Sequence, residues 1–353
     1  MPGMQPPLTT TDREISEQPE ALERTLKGAT PALEALGKEI RGRTISTVMI
    51  AARGSSDNAG VYAKYVFQAF NRVPVAMATP SLYTFHHAPP RLKDVFVLGI
   101  SQSGQSQDIV EVMAEARRQG ALCAAITRDD RSPLAHESQH VLKLETGPET
   151  AVAATKTFSS SLALLAGLSV AWEGSTERAA ALSRLPEQAA ATLEGAGKAA
   201  RESAPAFRDI SRCVVISRGF SYGIAMEIAL KMKELTYVTA EPYSSADFQH
   251  GPMAMIEPGF PAVLVAGRGV LHDELAGFAK VLAGRKARLV AISDSPTILD
   301  LAETALPFAE GAPEWLSPVL AVLPGQLFAL RLSQARGINP DVPRGLNKVT
   351  VTR

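Results

Sequence analysis

Apolar runs of about six residues alternate with segments of helical period along most of the chain. "TVMIAA" from Thr47, "DVFVLGI" from Asp94 and "ALCAAIT" from Ala121 are near-continuous apolar stretches, as are "RCVVIS" from Arg212, "PAVLVAG" from Pro261 and "LVAIS" from Leu289. Runs without polar alternation suit strands of a parallel sheet covered on both faces. Between them, "SQDIVEVMAEARRQG" brings Ile109, Val110, Met113 and Ala116 onto one helical face and ends at Gly120, a suitable C-cap. The alternation predicts right-handed crossovers and an open α/β sandwich of three layers.

The pattern is written twice. "TVMIAARGSSDNAG" from Thr47 and "RCVVISRGFSYGIA" from Arg212 both read as an apolar strand, then Arg-Gly, then a serine-bearing turn into a helix. Arg53 and Arg218 stand 165 residues apart, and Ile126 and Ile292, in a later matched strand, 166 apart. Each copy reads as strand, helix, strand, helix, strand, and the copies are expected to pack as a pseudo-twofold pair. The expected division is a disordered tail over 1–12, a first unit over 13–175, an alanine-rich helical connector over 176–205, a second unit over 206–340 and a C-terminal tail over 341–353. Ligands of such sheets sit beyond the carboxyl ends of the strands. The segments after Ala52, Ile100, Ile126, Ile216 and Val265 are therefore where chemistry is expected.

The chain has 353 residues, 46% hydrophobic and 20% charged, enough for two units with cores of their own. Lys+Arg and Asp+Glu both number 36, so the net charge is zero. A protein that binds nucleic acid by neutralising phosphates is basic overall, so that class is set aside. No apolar run reaches the length of a membrane span. The N-terminus lacks the pattern of a signal peptide, and a cytoplasmic protein is expected. Cys123 and Cys213 sit in apolar runs and read as buried thiols. With no Cys/His cluster, no metal site is expected.

Candidate chemistry gathers in a few places. After Ile100, "SQSGQSQD" supplies hydroxyls from Ser101, Ser103 and Ser106, an amide from Gln102, and Gly104 for a tight turn into a helix. Such a turn suits an anion. The lysine of a nucleoside-triphosphate loop is missing, which points to a monophosphate; plain helix capping by serine is the alternative. Ser55 and Ser56 offer a weaker version after the first strand. "ETAVAATKTF", with Glu149, Val152, Thr155 and Lys156, reads in isolation as an ordinary helix N-terminus.

In the second copy, Glu227, Lys231 and Glu234 are spaced i, i+4, i+7 on one helical face. Met226, Ile228, Leu230, Met232 and Leu235 surround them, so the helix is expected to be largely covered and Lys231 to pair with both glutamates. A partly buried glutamate suits a general base. His250, fixed before Gly251-Pro252 and preceded by a bendable "YSSAD", offers an imidazole. His86-His87 is the rival pair, read as a loop or interface feature; His136, His140 and His272 read as surface positions. Lys348 lies in "NPDVPRGLNKVTVT", whose prolines and alternating apolar residues suggest a docked tail able to place an amine in a site.

Taken in order, "SQSG", "ATKTF", "ALKMKELTYVTAE", "HGP" and "PRGLNKVTVT" resemble the SIS (sugar isomerase) family, most of all the isomerase part of glucosamine-6-phosphate synthase and its deaminase relatives. The resemblance runs from about Glu14 to the C-terminus. It implies two tandem flavodoxin-like αβα units, usually as a homodimer, acting on a hexosamine or hexose 6-phosphate without a cofactor. Ser101, Gln102, Ser103 and Ser106 would hold the phosphate, with Ser56 close by. Ser55 takes the place of a threonine that contacts the sugar, and Val152 would contact it through its backbone. Glu234 matches the carboxylate that moves a proton between C1 and C2. His250 matches the imidazole that opens the ring, delivered across the dimer interface. Lys348 matches a lysine able to form a Schiff base with a ketose, and Glu227 and Lys231 match helix residues beside the base. Ala154 departs from a common serine, and the tail reads "LNKVTVTR" where the synthases tend to "AKSVTVE".

The synthases carry an N-terminal glutaminase domain, whereas this sequence begins on isomerase-like residues. The expected activity is thus deamination with isomerisation, glucosamine 6-phosphate to fructose 6-phosphate and ammonia. The alternatives are an isomerase-type subunit of an aminotransferase, a fructosamine-6-phosphate deglycase, and a non-catalytic phosphosugar sensor. A sensor has no need of Glu234, His250 and Lys348 together.

Overall fold

The computed structural model describes residues 8–348. Its first unit runs α1 (Thr10–Ser16), α2 (Gln18–Arg41), β1 (Thr47–Ala51), α3 (Ser55–Val66), β2 (Val75–Met77), α4 (Ser81–Thr84), β3 (Val95–Ile100), α5 (Gln107–Arg118), β4 (Leu122–Thr127), α6 (Pro133–His136), β5 (His140–Lys143) and α7 (Lys156–Glu173). Helices α8 (Thr176–Ser183) and α9 (Leu185–Ser203) lead to the second unit. That unit runs β6 (Arg212–Ser217), α10 (Tyr222–Thr236), β7 (Thr239–Ser244), α11 (Ser245–Gln249), β8 (Pro261–Ala266), α12 (His272–Gly284), β9 (Arg288–Ser293), α13 (Pro296–Leu299), β10 (Thr304–Pro307) and α14 (Ser317–Ala335).

Each unit is built on a parallel sheet, ordered β2-β1-β3-β4-β5 and β7-β6-β8-β9-β10. This is the flavodoxin-like order, twice, with switch points between β1 and β3 and between β6 and β8. Five strands per sheet replace the three read from the apolar runs. The extra strands are edge strands: β2 has three residues, and β5 and β10 have four. Strand β7 carries the exposed Glu241 and a proline and is only partly buried. Strands covered on one face alone lack the continuous apolar signature.

The apolar runs have a simple cause. Val48, Ile50, Leu98 and Ile126 point into one central core that also takes Val215, Val265 and Ile292 of the second sheet. Met49, Val97 and Cys123 point the other way, against Ile109 and Val112 of α5. The second sheet repeats this, with Val214 and Leu264 against Leu275 and Phe278 of α12. The two units thus share one core and keep separate outer layers. Helix α9 packs against α2, α14 and β10 and contributes Leu185, Ala189, Ala196 and Ala200 to that core, so the connector is part of the body.

The equivalent helices α3 and α10 pack on each other. Their approach requires Gly223: a Cβ there would stand 2.6 Å from the carbonyl oxygen of Asn58. This contact sets the charged face of α10 against the start of α3.

The N-terminal segment is ordered earlier than expected. Thr9 and Asp12 form a reciprocal capping box at the start of α1. Asp341, from the far end of the chain, accepts hydrogen bonds from the backbone N–H groups of Thr10 (2.7 Å) and Thr11 (2.9 Å). Of the expected tail over 1–12, residues 1–7 lie outside the described residues, as do 349–353 at the other end. The C-terminal tail is docked as far as it is described: the Arg344 N–H donates to the Tyr237 hydroxyl (2.7 Å), and its guanidinium lies over the Tyr237 ring.

Burial alone would raise the Asp341 carboxyl, but the Thr10 and Thr11 N–H groups outweigh it and hold it below its ordinary 3.8. A group with a lowered value stabilises the fold above its unfolded range and loses that contribution as pH falls. Asp341→Asn should therefore cost about 1 kcal/mol at neutral pH, kept small by partial solvation. Thermal unfolding of both proteins at pH 7 and pH 3 should show the gap narrowing at the acid end.

Two histidines read as surface positions are partly buried. His140 meets Glu39 at 2.6 Å, and His272 meets Ser295 at 2.8 Å. A single polar residue beside an apolar run gives no sign of which partner will cover it. Cys123 and Cys213 are free and buried in β4 and β6, and burial pushes both thiols up to about 12. Among the described residues no helix is long and apolar enough to cross a membrane, and no cluster of His, Cys, Asp and Glu could hold a metal ion.

Candidate active site

A cleft of about 350 Å³ lies at the first switch point, where the turns after β1 and β3 meet the start of α7, the C-terminal tail and α10. Ser55, Ser56, Ser101, Gln102, Ser103 and Ser106 line it from the two turns. Val152 lines it from the loop before α7, Glu234 from α10, and Lys348 from the tail. A larger groove of about 910 Å³ runs between α2, α7 and α8, but it meets the last turns of α7, far from the turn that builds this site.

The turn after β3 is shaped by Gly104, whose φ is +64°. A Cβ at that position would fall 2.1 Å from the Ser132 hydroxyl oxygen, so the turn closes only around glycine. Within it, the Ser101 oxygen accepts from the Gly104 N–H (3.2 Å), and the Ser103 oxygen from the Gln105 N–H (3.2 Å). The turn leads into α5, whose first N–H groups, by helix geometry, lack intrahelical acceptors. Arg53, after β1, adds a cation at the cleft, its Nε donating to Asp108 of α5 (2.7 Å). The second copy repeats this frame, with Arg218 beside Glu274 of α12 at 3.4 Å.

Behind the cleft lies a charged triad on α10. Glu227 and Lys231 are buried and do not line the cleft. Lys231 stands 3.3 Å from Glu227 and is ion-paired with Glu234, which is the member that reaches the cleft. Glu227 accepts from the Ser55 hydroxyl (2.9 Å) and the Asn58 amide (2.8 Å), both across the α3–α10 contact. Burial pushes the Glu227 carboxyl above its ordinary range in spite of Lys231 and Asn58. Burial would lower Lys231, but the two glutamates outweigh it and hold the amine charged. Glu227 and Lys231 thus sit as supports, and Glu234, with its side chain 24% exposed, is the carboxylate a ligand can reach.

His250 is exposed at the end of α11 and does not line the cleft of its own chain. His86 and His87 are exposed as well. Glu149 was legible only as part of a helix start. It is fully buried, yet it accepts from Gln102, Thr155, Thr157 and Lys348, joining the tail to the serine turn after β3. Arg53 also carried a signal in the sequence, the repeated Arg-Gly pair after the first strand of each copy. The site brings together, within one cleft, a hydroxyl-rich turn, a carboxylate on a charged support and a primary amine.

Residues 43–171 and 206–332 each match the SIS domain. The chain is 32% identical over 345 residues to the glutamine--fructose-6-phosphate aminotransferase (isomerizing) of Aquifex aeolicus, covering 96% of this chain and 57% of that protein. The Mycobacterium tuberculosis protein of the same name is 33% identical over 365 residues, again covering 96% of this chain and 57% of that protein. The chain thus spans little more than half the length of these relatives. Among solved structures, a Silicibacter pomeroyi chain, whose own assignment as a phosphosugar isomerase is provisional, superposes with a TM-score of 0.86 at 34% identity, covering 94% of this chain and all of that one. Glucosamine-6-phosphate deaminase of Thermotoga maritima shares the fold, with a TM-score of 0.81 at 22% identity over 98% of this chain and 100% of that one. The switch-point cleft and the two domain matches lead to one conclusion: this chain belongs to the SIS domain family and carries that domain twice.

Proposed function

We propose that the chain deaminates and isomerises a hexosamine 6-phosphate, taking glucosamine 6-phosphate and water to fructose 6-phosphate and ammonia. One observation carries the reading. The serine turn after β3, the Glu234 carboxylate and the Lys348 amine line the same cleft. Ser101, Ser103 and Ser106, the start of α5 and Arg53 receive the phosphate. This places the open-chain sugar along the cleft toward Glu234 and Lys348.

Glu234 takes the proton from C2 and returns it to C1, which converts the amino aldehyde to a 2-imine. Water adds to the imine carbon and ammonia leaves, giving the ketose. Lys348 can serve the same carbon as a nucleophile, replacing ammonia in an imine that water then hydrolyses. Lys231 neutralises Glu234 from behind, and Glu227 holds Lys231. His250 opens the ring from a second copy of the chain, since it lies outside its own cleft on an exposed turn.

A second reading is favoured by the named relatives: the same steps in reverse, making glucosamine 6-phosphate from fructose 6-phosphate with ammonia from a glutaminase. Ammonia release from a panel of hexosamine 6-phosphates, without glutamine, separates the two. Release from glucosamine 6-phosphate supports deamination; synthesis of the amino sugar alone, with added ammonia or a glutaminase, supports the second reading. Binding of the phosphosugar with neither activity would leave a sensor.

The shared site has its own test. Mixing inactive Glu234→Gln chains with inactive His250→Asn chains should restore part of the activity, because one of the two sites in a mixed dimer regains both groups. Absence of rescue, with subunit exchange demonstrated, puts His250 to work in its own chain or nowhere.

A further inference from the structure

We propose that Glu149 is a positioning residue, a single buried carboxylate that fastens the Lys348 tail and the Gln102 amide to the first turn of α7 and so assembles the wall of the cleft. Its side chain is fully buried. One oxygen accepts from the backbone N–H groups of Thr155 and Thr157, both at 3.0 Å, and from the Thr155 hydroxyl at 3.3 Å. The other accepts from the Thr157 hydroxyl at 2.7 Å, the Lys348 amine at 2.9 Å and the Gln102 amide at 3.0 Å. These donors come from three separate stretches: the turn after β3, the start of α7, and a tail 199 residues further along the chain.

A buried carboxylate is costly unless its charge and lone pairs are met. Six donors, one of them the Lys348 cation, meet them here. Burial alone would raise the carboxyl, but Lys348 and Thr157 outweigh it and hold it below the usual range. The loop that carries Glu149 is itself braced from the other end of the molecule. Buried Glu14 of α1 accepts from the backbone N–H groups of Thr150 (2.5 Å) and Ala151 (3.3 Å). Helix α1 in turn is capped by Asp341 of the same tail. Tail, loop and N-terminal helix form a closed circuit, and Glu149 is the point where it meets the cleft.

The tether is a matter of structure alone; what Lys348 does once held rests on the proposed function. The variants keep the two apart. Glutamine at 149 preserves size and can still accept from the α7 N–H groups, but its amide presents hydrogens to the Lys348 and Gln102 donors. Trypsin cleavage after Arg344, followed by intact mass in the full chain without ligand, reports tail release. Glu149→Gln and Lys348→Met should each speed that cleavage at least about tenfold, the worth of one hydrogen bond to a charged group. The double variant should be no faster than the faster single one, since both remove the same link.

A cleavage rate for folded Glu149→Gln equal to wild type overturns the proposal, and so do effects that multiply in the double variant. Should Glu149→Gln fail to fold, Glu149→Asp replaces it. That variant keeps the charge at α7 but is one methylene short of Lys348 and Gln102, and the same release is expected. Ammonia release is then measured on the same proteins. If wild type releases none while Glu149→Gln frees the tail, the tether stands and the deaminase reading falls. If wild type is active, kcat of Glu149→Gln should drop at least about tenfold. A wild-type kcat with a freed tail removes Glu149 from the assembly of the site.

Discussion

Glu234→Gln is expected to lower kcat by about 10²–10⁴ and to stop exchange of the C2 proton with solvent deuterium, while substrate still binds. Among the carboxylates of α10 only this one lines the cleft; Glu227, on the same helix, is sealed behind it. Lys231 pairs with Glu234 on its covered side, and its other side opens to the cleft, where a carboxylate can reach the carbons of a bound sugar. Glutamine keeps the length and can still accept from Lys231, so the frame should survive. Deuterium wash-in at C2, followed by NMR, isolates the proton transfer from later steps. Exchange at the wild-type rate in the variant would place the base elsewhere and leave α10 a structural ion-pair helix.

Lys231→Met is expected to cost about 3–5 kcal/mol of stability, the usual penalty for removing one partner of a buried pair. Methionine fills nearly the same space, so the loss reports charge and hydrogen bonding rather than a cavity. Ser55 and Asn58 still donate to Glu227, but no cation remains beside a carboxylate that is 0% exposed. The pH dependence has a definite sign. Burial already raises Glu227 above its ordinary 4.5 with Lys231 present, and without it the carboxyl moves further up. A group with a raised value favours the folded state at low pH and loses that contribution as pH rises past the unfolded value. The deficit should therefore be smaller at pH 5 than at pH 8, and Lys231→Met with Glu227→Gln should recover part of it. Urea denaturation at the two pH values measures both. A loss under about 1 kcal/mol with no pH dependence would show that water reaches the pair.

Much of the fold is local information. The apolar runs at Thr47, Asp94, Ala121, Arg212, Pro261 and Leu289 became the central strands, because a strand covered on both faces needs apolar residues at every position. The repeat near 165 residues became two sheets of one order. The serine turn was legible because several hydroxyls and a glycine fall within six residues, and the α10 triad because helical spacing puts its members on one face. Edge strands β2, β5 and β10 stayed hidden, since three or four half-covered residues carry no period.

Long-range pairing was decided by tertiary structure alone. Sequence spacing places Glu227, Lys231 and Glu234 together, but only the close approach of α10 to α3 at Gly223 decides that Glu227 and Lys231 are sealed and Glu234 is open. Glu149 looked like any acidic residue before a helix. Its role comes from donors 47 residues upstream and 199 residues downstream, separations at which no local pattern carries information. The same holds for Asp341 and the first turn of α1, and for His140 on Glu39. Local spacing fixes which residues share a face; which faces meet, and so which charges are buried, paired or left open to a ligand, depends on how the whole chain packs.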